Sequence, residues 1–199
     1  MVATEAGSLS VKEQSLADLS LEDFLARLAS AAPTPGGGSV AALTGALAAS
    51  LGQMACALTV GKPKFADVEP QVRELATRLQ RAAGMLRQLI DEDAAAYTEL
   101  NAAFKIDKSE PTRKRRLGQA AVLAAGVPLE TAAISREVLG DLERLAPLAN
   151  PNLRSDVEAA RHLARAAMHA AATNVRVNLP FMAPEAAEQI KGELDRLLA

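Results

Sequence analysis

Apolar residues recur at steps of three and four along most of this chain, which is the spacing that lines one face of an α-helix. The longest such pattern runs from Val72 to Ala103 without a helix-breaking residue. Runs of β-branched and aromatic residues, which are typical of strands, are nearly missing. The pattern therefore predicts an all-α fold, built as an antiparallel bundle of long, alanine-rich helices.

Start and stop signals divide this pattern into six predicted helices. They run from Ser20 to about Ala32, from Val40 to Val60, from Asp67 to about Phe104, from Ser109 to about Leu145, from Ser155 or Asp156 to about Leu179, and from Pro184 to the end of the chain. Gly126 and Pro128 are expected to kink or divide the fourth helix. We expect residues 1–19 to form a disordered tail and residues 20–199 to form a single domain.

Composition narrows the class of protein. The chain has 199 residues and a formal net charge of -2, which argues against a nucleic-acid-binding surface. The single cysteine, Cys56, cannot form an internal disulfide, so we expect a reducing, cytoplasmic location. The polar N-terminal residues lack the basic start and apolar core of a signal peptide.

The segment Val40 to Val60 has no charged residue and is long enough to cross a bilayer. Its hydropathy is modest because small residues dominate it, and no second segment of this kind is present. We therefore interpret it as a buried central helix and expect no membrane association. Small residues at Gly45, Ala49 and Gly52 would let another helix, from this chain or a second subunit, pack closely against it.

Asp93 breaks the apolar pattern of the third helix, where a leucine is expected. The other members of this helix face are apolar: Val72, Leu75, Leu79, Ala82, Leu86, Leu89, Ala96, Leu100 and Ala103. A buried carboxylate must be paired, protonated or directed into a pocket, and its raised pKa suits it to proton transfer. The alternative is a polar residue at the point where the helix leaves the core.

Two further groups of residues are candidates for ligand binding. Asn174 and Asn178 lie one helical turn apart on an apolar stripe, where their amides would bind either a planar polar ligand or a neighbouring part of the chain. Gly36, Gly37, Gly38 and Ser39 precede a helix, whose free N–H groups attract anions or carbonyl oxygens, although a tight turn would have the same sequence. His162, His169 and Cys56 fit surface and core positions, so we predict no metal site.

Six motifs in this order resemble the cyclodeaminase domain of formiminotransferase-cyclodeaminase and its free-standing relatives, including methenyltetrahydrofolate cyclohydrolases of serine-cycle type. They are the segments 33–42 (PTPGGGSVAA), 61–65 (GKPKF), 91–94 (DEDA), 127–129 (VPL), 152–156 (NLRSD) and 174–179 (NVRVNL). The resemblance extends from about Leu21 to Leu198. The chain departs from the family at Ile106-Asp107-Lys108, where relatives often have Leu-Pro-Lys.

The resemblance implies a helical homodimer with a folate pocket near the subunit interface. It also implies chemistry at the carbon between N5 and N10 of tetrahydrofolate, with no cofactor. On this basis Asp93 is the candidate proton shuttle and Asp156 a second, orienting carboxylate. The predicted substrate-binding residues are Gly36 to Ser39, Asn174 and Asn178, together with Lys62, Lys64 and Lys108 for the acidic glutamate tail.

Two enzymatic activities and one non-enzymatic role remain open at this point. The first is hydrolysis of 5,10-methenyltetrahydrofolate to 10-formyltetrahydrofolate, which we favour because no formiminotransferase half accompanies the domain. The second is deamination of 5-formiminotetrahydrofolate to the methenyl compound. The third is a noncatalytic helical dimer that acts as a scaffold or binds folate, in which Asp93, Asn174 and Asn178 would be structural hydrogen-bonding residues.

Overall fold

The computed structural model describes residues 14–199 and has six α-helices in that range. They are α1 (Leu21–Leu28), α2 (Gly37–Ala57), α3 (Glu69–Phe104), α4 (Arg113–Leu145), α5 (Arg154–Asn178) and α6 (Pro184–Leu198). None of residues 14–199 is in a strand, which confirms the predicted all-α class. Helices α2 to α5 form the bundle, and α6 packs on α4 and α5.

Helix α2 lies between α3, α4 and α5, in the central position that its apolar sequence predicts. Ala42, Ala48 and Ala49 of this helix are fully buried. A Cβ atom on Gly52 would lie 2.6 Å from a methyl carbon of Leu142, so glycine is what permits this close approach of α4. By length and composition alone α2 and α4 could each cross a membrane, so the prediction that only one such segment is present was wrong. Helices in the core of a soluble protein pass the same test.

The two ends of the bundle hold different candidate residues. At one end of the bundle the start of α2 contacts the last third of α3, and the end of α5 contacts α4. We call this end of the bundle the glycine end, because it contains Gly36–Ser39. At the other, the backbone N–H of Asn150 donates to Thr59 just after α2 (2.9 Å). This is the lysine end, which contains Lys62 and Lys64. An α-helix of the length of α2 separates the ends by roughly 30 Å.

The first described residues are packed against the bundle, although a tail through residue 19 was predicted. Residues 1–13 of that tail lie outside the described residues. Leu16–Asp18 forms a single 3-10 turn in which Leu16 is buried. Asp91 holds this turn, because its carboxylate accepts hydrogen bonds from the Ser15 hydroxyl (2.6 Å) and the Leu16 N–H (2.5 Å). The domain therefore begins several residues before the predicted boundary at residue 20.

Helix α1 starts as predicted but ends earlier. The Ser20 hydroxyl accepts a hydrogen bond from the Asp23 N–H, which is the expected N-terminal cap. The helix was predicted to reach about Ala32, yet it ends at Leu28. The Ser30 hydroxyl donates to the Arg27 carbonyl and accepts from the Ala32 N–H, so this side chain replaces the helical hydrogen bonds and turns the chain.

Helix α4 runs through Pro128 as one element, so it is not divided there as the sequence suggested it could be. A proline has no N–H, which leaves the carbonyl four residues earlier without its helical donor. That carbonyl belongs to Ala124, and the side-chain amide of Asn178 donates to it (2.9 Å). The amide thus supplies the hydrogen bond that Pro128 cannot make, and it joins α5 to α4.

Candidate active site

Asp93 caps the N-terminus of α2 from the neighbouring helix α3. Its Oδ2 atom accepts hydrogen bonds from the Ser39 N–H (2.8 Å) and the Ser39 hydroxyl (3.0 Å). Gly36, at the N-cap position of α2, has no side chain to satisfy the free N–H groups of the first turn. This tertiary cap explains why α2 starts at Gly37, three residues before the predicted start at Val40.

The second carboxylate oxygen of Asp93 remains available. Among the described residues, no group donates a hydrogen bond to Oδ1. Burial raises the pKa of the Asp93 carboxyl above its ordinary value of 3.8, while the two hydrogen bonds from Ser39 act in the opposite direction. The start of α2 also favours negative charge at this place. The carboxylate is therefore held by one oxygen and free to exchange a proton through the other.

Asp93 lines a cavity of about 500 Å³ at the glycine end. That volume is within the range of small-molecule pockets. Its polar wall contains Gly36, Gly37, Gly38 and the two asparagines, and its apolar wall is lined by Tyr97, Leu100, Phe104, Val177 and Phe181. Phe104 and Phe181 meet edge to face, with their ring centroids 4.9 Å apart. Such a cavity suits a ligand that has a polar ring at one end and an aromatic group at the other.

Asn174 borders the cavity beside Gly37. Its Nδ2 atom donates to the carbonyl of Ala170 (2.9 Å), which fixes the side chain on its own helix. A backbone carbonyl can only accept hydrogen bonds, so this contact fixes which side of the amide carries the nitrogen, and the amide oxygen and one N–H remain for a ligand. Oδ1 of Asn174 has no donor within residues 14–199, and it can accept a hydrogen bond from a ring N–H or amino group.

Asn178 lines the same cavity but has a structural task as well. Its Nδ2 atom donates both to Ala124 and to the carbonyl of Asn174 (2.9 and 3.0 Å). Both amide hydrogens are thus used inside the protein, which agrees with the structural alternative that the sequence left open. The Asn178 side chain keeps only its oxygen for a ligand.

Ser39, also predicted to bind substrate, is fully buried against Asp93 and does not line the cavity. Four other candidates also lie outside the Asp93 cavity of this chain. Lys62 and Lys64 follow α2 at the lysine end, and Asp156 is in the first turn of α5 at that same end. Asp156 and Asn174 are separated by 18 positions on one helix, or about 27 Å. Lys108 is at the glycine end, exposed on the loop between α3 and α4. The structure therefore brings Asp93, Asn174, Asn178 and Gly36–Gly38 together, and the roles of the other four stay predictions.

The apolar wall of the cavity was not predicted as part of the site. Asp93, Tyr97, Leu100 and Phe104 follow one another at steps of four, three and four, which places them on one face of α3. That spacing was a usable signal, because a face that contains an unusual carboxylate would be expected to continue into its site. No comparable signal marks Phe181, which follows α5 and reaches the cavity through the fold.

Cys56 and the histidines are placed as predicted. Cys56 is fully buried, and burial raises the pKa of its thiol to about 11, so it is not a nucleophile. His162 is exposed beside Glu158, and His169 is exposed on the same helix. These residues therefore stand outside the candidate site.

Comparison with known proteins gives the site a family context. The family model described as formiminotransferase-cyclodeaminase matches residues 20–196. A methenyltetrahydrofolate cyclohydrolase from Methylorubrum extorquens is 36% identical over 184 residues, covering 90% of this chain and 88% of that protein. A formimidoyltransferase-cyclodeaminase from Rattus norvegicus is 33% identical over 174 residues.

The chain corresponds to only part of the bifunctional relative. The match covers 85% of this chain but 32% of the rat protein, so the chain spans about a third of its length. Among solved structures, formiminotetrahydrofolate cyclodeaminase from Thermotoga maritima is similar with a TM-score of 0.84 and 30% identity. That match covers 90% of this chain and 88% of the other.

Proposed function

The chain belongs to the formiminotransferase-cyclodeaminase family, and on that premise we propose that it is an enzyme of folate one-carbon metabolism. The reaction we favour converts 5,10-methenyltetrahydrofolate and water to 10-formyltetrahydrofolate. The methenyltetrahydrofolate cyclohydrolase from Methylorubrum extorquens matches this chain along nearly its full length. The observation that carries the proposal is that Asp93 lines a cavity of suitable size beside the start of α2 and that, among the described residues, only its Oδ2 atom accepts hydrogen bonds.

In this mechanism Asp93 acts first as a base and then as an acid. Its carboxylate stabilises the cationic methenyl group and takes a proton from the attacking water as the new C–O bond forms. The bond between the bridging carbon and N5 then breaks, with the Asp93 proton passing to N5. The remaining hydroxyl proton is lost as the formyl group forms on N10, so one proton is released overall. These steps need only water and the carboxylate, and we propose no cofactor or metal.

The other cavity residues would orient the substrate. The amide oxygens of Asn174 and Asn178 suit the N–H and amino groups of the pterin ring, because neither oxygen accepts a hydrogen bond from the described residues while both nitrogens donate within the protein. The N–H groups of Gly37 and Gly38 have no acceptor among the described residues and suit a carbonyl or developing oxyanion. The apolar wall of the cavity would hold the benzoyl group of the substrate next to the pterin ring.

Formiminotetrahydrofolate cyclodeaminase is the second candidate, and the structural similarity to an enzyme with that name favours it. Here N10 attacks the carbon of the protonated formimino group, Asp93 takes the N10 proton, and that proton passes to the amino group, which leaves as ammonia. The product is 5,10-methenyltetrahydrofolate. The geometry required of Asp93 is the same in both reactions.

Absorbance of the methenyl group separates the candidates. A hydrolase makes this absorbance decay faster than the uncatalysed reaction, whereas a deaminase produces it from 5-formiminotetrahydrofolate with release of ammonia. Asp93→Asn keeps the shape and the cap but removes the base, so we expect turnover to fall about 100- to 10,000-fold with folate binding retained. Near-normal turnover of this variant would exclude Asp93 as the shuttle, and folate binding without turnover by the unmodified protein would favour the noncatalytic role.

We also propose that the protein is a homodimer that pairs through α2. Leu47, Met54 and Leu58 lie along one side of this buried helix, yet they are 53%, 38% and 45% exposed. An exposed apolar stripe on a central helix suits a second copy. An antiparallel pairing would bring Lys62 and Lys64 of one subunit towards the glycine end of the other. Light scattering should give twice the chain mass, and Leu47→Glu should give the monomer; a monomeric parent protein would refute the dimer.

A further inference from the structure

The side-chain hydroxyl of Ser39 lies between two hydrogen-bond acceptors. Ser39 is in the first turn of α2 and is fully buried. Its Oγ atom is 2.9 Å from the backbone carbonyl oxygen of Ile90 and 3.0 Å from Oδ2 of Asp93, and both acceptors belong to α3. A serine hydroxyl carries one hydrogen, and neither a carbonyl nor a carboxylate oxygen can donate one. The hydroxyl can therefore give a full hydrogen bond to only one of the two acceptors at a time.

The charge of Asp93 decides which acceptor is the stronger. A hydrogen bond to an ionised carboxylate is roughly twice as strong as one between neutral groups, so the hydroxyl points to Asp93 when that group is charged. A proton on the carboxyl removes this charge, and the carbonyl of Ile90 then becomes the better partner, because a carbonyl oxygen has a second lone pair besides the one used in its helix. Rotation about the Cβ–Oγ bond of Ser39 is sufficient for the exchange, and no heavy atom has to move.

The backbone N–H of Ser39 cannot follow this change. It also donates to Oδ2 of Asp93 (2.8 Å), but helix α2 fixes its direction. A fixed donor favours the carboxylate alone, whereas a hydroxyl with a second acceptor stays hydrogen-bonded in both charge states, and an unpaired buried donor is costly. The two donors of Ser39 therefore have different tasks: the N–H holds the carboxylate in place, and the hydroxyl adjusts to its proton.

Within the described residues, Ser39 has no charged competitor for Asp93. Helix α2 contains no charged residue, and no charged side chain of α1, α4 or α5 lines the cavity. Burial raises the pKa of Asp93, and the only groups that lower it are the hydroxyl and the N–H of Ser39. The titratable residues on either side of Asp93 are Tyr97 in the cavity lining and Asp91, Glu92 and Arg27 outside it.

We propose that Ser39 is a positioning residue whose hydroxyl exchanges its acceptor each time Asp93 gains or loses a proton. This inference rests on the proposed function, because Asp93 changes its charge in every turnover only if it is the shuttle. Before the reaction the hydroxyl stabilises the carboxylate that acts as the base. Once Asp93 has taken the proton, the hydroxyl donates to Ile90 instead, so both proton transfers start with this buried donor satisfied. The role differs from the substrate binding that the sequence predicted for Ser39, since Ser39 does not line the cavity.

Carbon NMR of the protein without substrate tests the exchange directly. With the backbone carbonyl of isoleucine and the carboxyl of aspartate labelled, the signals of Ile90 and Asp93 should change with pH at the same midpoint. The reason is that the Ile90 carbonyl gains a hydrogen bond when Asp93 becomes neutral. The variant Asp93→Asn assigns the Asp93 signal, and in this variant the Ile90 signal should not change over that pH range.

The variant Ser39→Ala removes the hydroxyl and keeps the N–H that caps α2. Loss of a hydrogen bond to a charged group shifts its ionisation about tenfold or more, so the midpoint of the Asp93 titration should rise by about one pH unit or more. The pH-dependent change of the Ile90 signal should disappear, and the acid limb of the turnover profile should move to higher pH by the same amount as the midpoint. The matched control is Thr44→Val, because the Thr44 hydroxyl donates to the Val40 carbonyl of the same helix (2.8 Å) and not to Asp93. Both signals should stay as in the unmodified protein.

The possible outcomes are distinct. An Ile90 signal that does not follow Asp93 in the unmodified protein overturns the exchange, whatever the variants show. An Ile90 change that survives in Ser39→Ala also overturns it, because the change would then report the electric field of Asp93. An unchanged Asp93 midpoint in Ser39→Ala, or an equal rise in Thr44→Val, has the same meaning. If the exchange is observed but the unmodified protein turns over neither folate, the proposed function fails and the exchange stands.

Discussion

Replacing Gly38 with alanine should inactivate the enzyme without unfolding it. A Cβ atom at Gly38 would lie 1.9 Å from Oδ1 of Asp93, 2.5 Å from its Cγ and 2.8 Å from its Oδ2. Cβ atoms are essentially never found closer than 3.0 Å to such neighbours, so the carboxylate has to move by about 1 Å. Its movement is restricted because Oδ2 is bonded to Ser39.

The magnitudes separate the effect on activity from the effect on stability. A displacement of about 1 Å at a reacting group costs on the order of 100-fold in turnover. Overpacking costs about 1–3 kcal/mol, and alanine recovers up to about 1 kcal/mol as a better helix former. A net loss of at most about 3 kcal/mol leaves most domains folded and lowers the melting temperature by several degrees. We therefore expect kcat to fall about 100-fold in a protein that still melts cooperatively.

The adjacent glycines provide matched controls for this experiment. An added Cβ at Gly36 meets nothing within 4 Å, and at Gly37 it meets the Asn174 amide at 3.2 Å. Turnover followed by methenyl absorbance should therefore rank Gly36→Ala above Gly37→Ala and Gly38→Ala lowest, with circular dichroism reporting the fold. If Gly38→Ala turns over like Gly36→Ala, then either Asp93 does not transfer the proton or its position is not critical, and the mechanism fails.

Two further predictions concern stability. The raised native pKa of Asp93 means that the folded protein holds this proton more tightly than the unfolded chain, so its contribution to unfolding free energy falls as pH rises from about 4 through the native pKa. The variant Asp93→Asn has no carboxyl to titrate and therefore does not lose this stability. The melting temperature of the variant minus that of the unmodified protein should increase from about pH 4 to neutrality. A difference that stays constant with pH would contradict the burial of the charge. For Asn178, we expect Asn178→Ala to cost about 1–3 kcal/mol, because it leaves the Ala124 carbonyl unsatisfied. In a Pro128→Ala background the cost of Asn178→Ala should be smaller, because the N–H of the new alanine donates to the Ala124 carbonyl. Additive effects of the two substitutions in a double-mutant cycle would contradict this explanation.

Periodicity predicted the helices well, and it failed where a side chain from elsewhere decides an end. The spacing in α3 located the whole helix to Phe104 and singled out Asp93. The start of α2 was predicted three residues too late, because its cap is supplied by Asp93 from another helix. Likewise, Pro128 predicted an interruption that Asn178 compensates from α5. Local sequence cannot show either partnership, since the residues are 54 positions apart in both cases.

The same limit explains which site residues the sequence could identify. Asp93 and the asparagines were found because each is polar on an otherwise apolar helix face. Lysines in loops carry no such signal, and Lys62 and Lys64 prove to be at the end of the bundle opposite the cavity.

The triple glycine and Asp93 act as one structural unit. The sequence suggested that these glycines form a tight turn or an anion-binding loop, but Gly38 lacks a side chain because the Asp93 carboxylate fills that space. The carboxylate in turn supplies the cap that Gly36 cannot supply, and the helix terminus offsets part of the cost of burying its charge. An asparagine at position 93 would preserve the cap through its own oxygen while removing the proton shuttle. A single substitution at this residue is therefore expected to separate folding from catalysis, which makes Asp93 the residue at which a relative could lose the reaction and keep the fold.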